Sequence, residues 1–234
     1  MKSILVWRQG ALGDIILSLP AIYALRAHHC SEHLHLVARS DIAGIITDNR
    51  IADEVSSGER SLYADLFAEV GLSGPASEFL AKFEGAYIFA RETDFVFLNN
   101  MMKAVKKCFA VKTIPSGGEK VHVSAFQCAQ LKRYGISCPA MPLLDVKSPQ
   151  VEHLPGKQLI TVHPGSGGRR KCWPIDSYFE LMKSLDSGKK FAFYFILGPA
   201  EDDEVYEKIN AFIAAGAIEA HLLRGEPLSH VAGL

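Results

Sequence analysis

The chain opens with an apolar run, a glycine-bearing turn and a long amphipathic segment, and this order limits its possible folds more than any other feature. Residues 4–7 are continuously apolar, as in a buried strand. Residues 8–13 include two glycines, and residues 14–29 carry apolar side chains at helical spacing around Pro20. Parallel strands are joined by crossover helices, so this order favours an α/β fold with a largely parallel sheet.

The same alternation continues along the whole chain. We predict further strands at residues 34–38, 54–56, 87–90, 112–115, 158–162, 191–197 and 221–223. Helical segments are predicted at residues 41–47, 62–70, 99–109, 121–134, 174–186 and 201–214, and Gly135 is a plausible C-cap. The sequence therefore predicts repeated strand–helix units.

A change of composition predicts two domains. Prolines at 139, 142, 149 and 155 lie among polar residues, and we place an interdomain linker at residues 146–157. Residues 1–150 then form the first domain and residues 158–234 the second. The second is short against the ~100–150 residues of a common domain, so we expect it to be incomplete.

Composition excludes several classes of protein. Hydrophobic residues make up 48% of the 234 residues and the net charge is −1, which excludes disorder and argues against non-specific nucleic-acid binding. The five scattered cysteines contain no C-x-x-C pair, which favours reduced thiols and a cytoplasmic location. No run reaches the ~18–20 apolar residues of a membrane-spanning helix, so any membrane contact would be peripheral.

The first candidate site is the turn RQGALGD at residues 8–14. Its glycines allow a substrate to approach the backbone, and Asp14 could act as a general base. The alternative is that Asp14 only complements the helix dipole. A helix N-terminus lowers a carboxylate pKa, so a catalytic Asp14 would need partial burial.

The second candidate site is HPGSGGRRKCWP at residues 163–174, again between a strand and a helix. Backbone amides and Ser166 can donate to phosphate oxygens, and Lys171 adds a positive charge. The alternative is a flexible basic surface loop in which Trp173 only packs. Pro174 suits the first helical position.

Other charged groups give weaker signals. Glu201 follows a predicted strand, where a carboxylate can hold ribose hydroxyls. Lys103, Lys106 and Lys107 share one face of the predicted helix, which is either a solvated surface or a contact for an acidic acceptor. No spacing predicts a metal site, and we interpret the histidines at positions 28, 29, 33 and 35 as surface or packing residues.

At these residues the sequence resembles glycosyltransferase family 9, the ADP-heptose:lipopolysaccharide heptosyltransferases. The opening pattern RQGALGDIILSLPA at residues 8–21 is similar to the start of that family. HPGSGGRRKCWP at residues 163–174 is similar to the donor loop of the family. GPAE at residues 198–201 is similar to a third segment of the family pattern. These segments span most of the chain in the expected order.

The resemblance implies two Rossmann-like domains of the type B glycosyltransferase architecture, with the second domain truncated. The N-terminal domain would hold the acceptor and the C-terminal domain the nucleotide sugar. The implied reaction is an inverting, metal-independent transfer of heptose or a related sugar from an ADP-sugar to the lipopolysaccharide inner core. It uses no cofactor and occurs at the cytoplasmic face of the bacterial inner membrane, with peripheral membrane contact.

The resemblance also implies residue roles. Asp14 would deprotonate the acceptor, and Lys171 would offset charge on the departing diphosphate. Donor binding would use Ser166, Gly167, Lys171 and Glu201, and acceptor binding would use Arg8, Gly10, Gly13, Lys103 and Lys107.

One departure from the family pattern affects the expected activity. The family continues with a G-N-D-S-G-x-x-H-L-type segment that helps to bind donor phosphates, and the 234 residues do not include it. We therefore expect these residues alone to bind donor weakly and to turn over little or nothing. Two other interpretations remain: a non-catalytic carbohydrate-binding remnant, and a nucleotide-dependent dehydrogenase, which the missing G-x-G-x-x-G disfavours.

Overall fold

The computed structural model describes residues 2–142, 144–146, 156–166, 168–188, 190–198 and 201–234, without the side chains of Arg169 and Ser187. The chain divides into two compact units, Met1–Asp145 and Val146–Leu234. Most of the predicted linker, at residues 147–155, lies outside the described residues. Within the part that is described, no helix is long and apolar enough to cross a membrane.

The first unit is a parallel sheet of five strands with helices on both faces. Its strands are β1 (Ser3–Arg8), β2 (His33–Ala38), β3 (Glu54–Ser57), β4 (Gly85–Ala90) and β5 (Lys107–Lys112). Its helices are α1 (Leu12–His28), α2 (Ala43–Asp48), α3 (Gly74–Leu80), α4 (Phe95–Ala104) and α5 (Val123–Lys132), with 3-10 helices at Ser40–Ile42 and Ser61–Phe67.

The strand order β3-β2-β1-β4-β5 places β1 where the winding of the sheet reverses. Chain segments leaving β1 and β4 diverge at this point, so a crevice forms at the carboxyl ends of these strands. On one face α1 packs against α5, and Ser124 Oγ donates a 2.6 Å hydrogen bond to the carbonyl of Leu17. On the other face the Trp7 ring contacts those of Tyr63 and Phe97, at centroid distances of 4.9 and 5.2 Å.

The second unit contains a parallel sheet in the order β6-β7-β8. Its core includes the stacked rings of Phe179 and Phe212, whose centroids are 4.1 Å apart. Its elements are β6 (Gln158–Val162), α6 (Ile175–Leu185), β7 (Phe191–Leu197), α7 (Asp203–Ala214), β8 (Ala220–Arg224) and α8 (Leu228–Val231), with 3-10 helices at Arg169–Lys171 and Asp186–Gly188.

The prediction of a mixed α/β fold with parallel sheets is confirmed, and the strands at residues 158–162 and 191–197 have the predicted bounds. Two predictions between residues 99 and 115 are wrong. The helix ends at Ala104, and β5 is Lys107–Lys112 rather than residues 112–115. Residues 107–112 form a strand because they pair with β4. The helical spacing of Lys103, Lys106 and Lys107 had indicated a helix instead.

Candidate functional site

Gly10 fixes the shape of the turn that follows β1. Its φ of +147° belongs to a region that side chains rarely adopt. A methyl group there would lie 3.1 Å from both Arg8 Nη1 and Asp14 Oδ2. The close approach of these two side chains therefore requires glycine. Gly13, inside α1, has open space around it.

Arg8 is a buried cation beneath this turn, with 5% of its surface exposed. Its Nε donates to Ser18 Oγ at 2.7 Å, and its Nη2 donates to the carbonyl of Asp14 at 2.9 Å. Burial lowers the pKa of Arg8, and the charge of Asp14 partly offsets this effect. Because its donors bind Asp14 and Ser18 of α1, Arg8 acts mainly to hold the turn against this helix.

Asp14 lies in the first turn of α1 and is exposed. Its Oδ2 accepts a 3.2 Å hydrogen bond from the backbone N–H of Ala11. The partial burial that we expected for a catalytic Asp14 is therefore not present in the described residues. Desolvation of this carboxylate would have to come from a bound substrate.

Asp14 lines a cavity of about 170 Å³ with Arg8 and Gly10. A second cavity of about 360 Å³ shares Arg91 and Thr113 with the first and adds Lys112. Arg91 follows β4, Lys112 ends β5 and Thr113 follows β5, so all three lie at the same edge of the sheet as the turn after β1. Thr113 was not among the predicted site residues, because residues 112–115 were predicted to be a strand, whereas β5 ends at Lys112.

The structure does not bring Lys103 and Lys107 to these cavities. Lys103 lies in the last turn of α4, and Lys107 begins β5 in register with Gly85 at the start of β4. Both therefore lie toward the amino-terminal edge of the sheet, whereas Asp14 lies at the carboxyl-terminal edge. The predicted shared helical face is wrong, because the helix ends before Lys106.

In the second unit, Glu201 joins the loops that follow β6 and β7. Its side chain is 4% exposed, and its Oε2 accepts a 2.7 Å hydrogen bond from the backbone N–H of Gly198. A methyl group on Gly165 would lie 1.3 Å from Oε1, so the carboxylate packs directly on this glycine. Oε1 is buried without a hydrogen bond to the described residues, and His163 Nε2 lies 3.9 Å from it.

The remaining predicted donor residues lie in the loop after β6. Ser166 is half-buried and Lys171 is exposed at the end of a 3-10 turn, where its N–H donates to the carbonyl of Gly168 at 2.9 Å. Gly167 lies outside the described residues. Trp173 is 49% exposed and contacts the Tyr178 ring edge-on at 5.0 Å. The loop therefore presents both a cation and an aromatic face to solvent.

A doubly wound sheet in the first unit and glycine-bearing turns after β1 and β6 are features that α/β folds use to bind ligands at the carboxyl ends of their strands. No family model matches the chain, and no curated protein matches it. Solved structures do match it in fold.

A glycosyl transferase of family 9 from Veillonella parvula has a TM-score of 0.72 and 15% identity, with 99% of this chain and 72% of that chain covered. The E. coli ADP-heptose lps heptosyltransferase II has a TM-score of 0.64 and 14% identity, over 100% of this chain and 76% of that one. E. coli heptosyltransferase WaaC, solved with ADP-2-deoxy-2-fluoro heptose, has a TM-score of 0.60 and 12% identity, with coverage of 99% and 79%. At these identities the likeness establishes the fold.

Proposed function

We propose that this protein is a glycosyltransferase that moves heptose or a related sugar from an ADP-sugar to the inner core of lipopolysaccharide. The observation that carries the proposal is the match to the family 9 glycosyl transferase fold across 99% of the chain, at a TM-score of 0.72. The proposed transfer is inverting and metal-independent and takes place at the cytoplasmic face of the inner membrane, with peripheral membrane contact.

In the acceptor half of the mechanism, Asp14 accepts the proton of the attacking hydroxyl. Its carboxylate borders the 170 Å³ cavity, where an acceptor hydroxyl can reach it. A sugar covering this cavity would exclude water and raise the basicity of Asp14. Arg8 and Gly10 keep the turn in the conformation that presents this carboxylate.

Acidic groups on the acceptor would be bound by Arg91 and Lys112 rather than by Lys103 and Lys107. Arg91 borders both cavities, and Lys112 borders the larger one, where it forms an ion pair with Glu92. A phosphorylated or carboxylated acceptor can compete with Glu92 for this lysine. Arginine adds the planar geometry that suits phosphate and carboxylate.

In the donor half, Glu201 binds the ribose of the ADP-sugar. Its buried Oε1 has no hydrogen bond to the described residues, and a ribose hydroxyl would supply the missing donor. Ser166 and the amides around Gly167 would donate to the diphosphate. Lys171 would stabilise the negative charge that builds on the diphosphate as its bond to the donor sugar breaks.

A non-catalytic carbohydrate-binding remnant is the second candidate. The exposure of Asp14 and its hydrogen bond to the N–H of Ala11 favour it, because a carboxylate that only caps a helix has the same contacts. Such a protein would bind core oligosaccharide without consuming donor.

A single-turnover assay separates the two candidates. The 234-residue protein, in excess over radiolabelled ADP-heptose, is mixed with lipopolysaccharide truncated to its inner core, and transferred label is measured. Excess protein makes even slow transfer measurable. The variants are Asp14→Asn and, as a matched control, Asp48→Asn, an exposed aspartate at the end of α2.

We expect slow, acceptor-dependent transfer by the unaltered protein. The Asp14→Asn variant should be slower than the unaltered protein by at least about 100-fold, in the range of general-base catalysis. Asp48→Asn should match the unaltered protein. Equal transfer by Asp14→Asn would remove Asp14 from the mechanism. Calorimetry with each ligand alone completes the test: acceptor binding with no transfer would favour the remnant, and binding of neither ligand would overturn both candidates.

A further inference from the structure

A cluster of two histidines and one carboxylate lies at the amino-terminal edge of the first sheet. The proposed acceptor cavities lie at the opposite, carboxyl-terminal edge. His33 and His35 are two residues apart on β2, so their side chains point to the same face. Glu54 begins β3 and is the register partner of His35. The sheet therefore places all three side chains together.

The donor atoms of the cluster converge on a single carboxylate oxygen. Glu54 Oε2 lies 3.4 Å from His33 Nε2 and 3.3 Å from His35 Nδ1, and the three donor atoms all lie within 4.8 Å of one another. Zinc holds nitrogen and oxygen ligands at about 2.0–2.2 Å, which separates two ligands of a tetrahedron by about 3.3–3.5 Å. The two separations from Glu54 Oε2 agree with this value.

Neighbouring groups fix the orientation of the buried histidine. The second ring nitrogen of His35, Nε2, lies 2.8 Å from Ser56 Oγ, which in turn is 3.3 Å from Tyr63 Oη. Phe79 and Phe83 contact the His35 ring edge-on at 5.5 and 5.6 Å. A hydrogen bond on the far nitrogen is the usual support for a histidine that ligates a metal, because it fixes the tautomer and the ring plane.

The cluster also remains open to solvent on one side. The side chain of His35 is 6% exposed, but those of His33 and Glu54 are 34% and 55% exposed. An ion could therefore enter from water and keep a water molecule as a further ligand. Two imidazoles and one carboxylate are a ligand set suited to zinc.

We propose that His33, His35 and Glu54 bind one Zn²⁺ ion, with water as the fourth ligand. The ion would link β2 to the edge strand β3, which has β2 as its neighbour in the sheet. The site lies at the amino-terminal edge of the sheet, away from Asp14, so it is independent of the proposed transfer reaction. The interpretation of these histidines as surface or packing residues explains the burial of His35 but not the approach of both His33 Nε2 and His35 Nδ1 to Glu54 Oε2.

The sequence could not indicate this site, because its third ligand comes from a separate strand. The histidines alone have an i, i+2 spacing, which is common in strands that do not bind metals. Only the register between β2 and β3 brings Glu54 beside His35.

The test is zinc titration of the whole 234-residue protein after removal of metals with a chelator. Calorimetry gives the affinity and stoichiometry, and thermal unfolding gives Tm with and without zinc. The variants are His33→Ala and Glu54→Gln, and Glu59→Gln is the control because Glu59 is an exposed carboxylate shortly after β3. Circular dichroism checks that each variant folds, and Glu54→Gln keeps the test valid if His33→Ala does not.

We expect one equivalent of Zn²⁺ to bind and to raise Tm, and each ligand variant to weaken binding by at least about tenfold. Glu59→Gln should bind like the unaltered protein. Co²⁺ substitution distinguishes the site from the five free cysteines, since thiolate ligands give charge-transfer absorption that histidine and carboxylate do not. Absence of binding, equal affinity in all variants, or thiolate absorption would overturn the proposal.

Discussion

Two glycines of the loop after β6 differ in what an added methyl group would meet. On Gly165 it would lie 1.3 Å from Glu201 Oε1, whereas around Gly168 the space is open. Gly165→Ala should therefore displace Glu201 from the N–H of Gly198 and weaken ADP binding by at least about tenfold, or ~1.4 kcal/mol. Gly168→Ala is the matched control and should keep the unaltered affinity, as measured by calorimetry. Equal ADP affinities for both variants would exclude Glu201 from the donor site.

The turn after β1 allows a similar paired test of stability. Gly10→Ala forces a side chain into a φ of +147° and against Arg8 and Asp14, which should lower the free energy of unfolding by roughly 1–3 kcal/mol. Gly13→Ala lies in α1 with open space around it, and should raise the free energy of unfolding by roughly 0.5–1 kcal/mol. Urea denaturation measures both. Changes of the same sign would show that this turn is not strained as described.

At the scale of single residues, the sequence identifies groups that follow strands but not their partners. Asp14 and Glu201 could be singled out because each follows a predicted strand at a turn. The packing of Glu201 on Gly165 could not be predicted, because it depends on the pairing of β6 with β7. The exposure of Asp14 depends likewise on how α1 packs.

At the scale of elements, a buried amide fastens α4 to the preceding 3-10 helix. Asn100 Nδ2 donates to the carbonyls of Leu66 and Ala68 at 3.1 and 3.0 Å. Asn100→Leu would leave buried acceptors without donors and should lower the free energy of unfolding by about 2–3 kcal/mol. The control, Asn99→Ala on the exposed side of α4, should change it by at most about 0.5 kcal/mol. Chemical denaturation of the two variants decides between this account and one in which α4 is held by its apolar side chains alone.

Elements with strong local patterns were predicted well and those fixed by pairing were not. The apolar stretch of β7 is buried along most of its length, so its bounds follow from composition. Residues 107–112 mix two lysines with apolar residues and read equally well as helix, and only their register with β4 makes them a strand. The two errors in this stretch placed Lys107 among the expected acceptor residues and concealed Thr113.

At the scale of the whole molecule, His29 makes stability depend on pH. It is half-buried, with Nε2 3.0 Å from Tyr87 Oη, and burial together with the charge of His28 lowers its pKa in spite of Glu32. The unfolded chain, with a pKa of about 6.5, then binds the proton more readily than the folded protein. The free energy of unfolding should therefore fall as the pH drops below about 6.5, and level off below the folded-state pKa.

Replacement of His29 by glutamine tests this pH dependence. The variant should lose part of the slope of unfolding free energy against pH in that range, measured by urea denaturation at a series of pH values. An unchanged slope would assign the dependence to other groups.

The strand order of the first sheet is a property of the whole molecule that local patterns do not contain. Alternating strands and helices predict a parallel sheet, but several winding orders satisfy the same pattern. The order β3-β2-β1-β4-β5 decides that the turn after β1 lies at the reversal point, beside residues that follow β4 and β5. The proposed acceptor cavities could therefore be located only in the structure.

Hydrogen exchange of the whole 234-residue protein, with and without ADP, most directly tests whether the second unit holds a nucleotide-sugar donor. The account predicts slower exchange at residues 163–166 and 201–205 when ADP is present, and no such effect with NAD at the same concentration. Protection confined to the turn at residues 8–14, or equal protection by NAD, would contradict it.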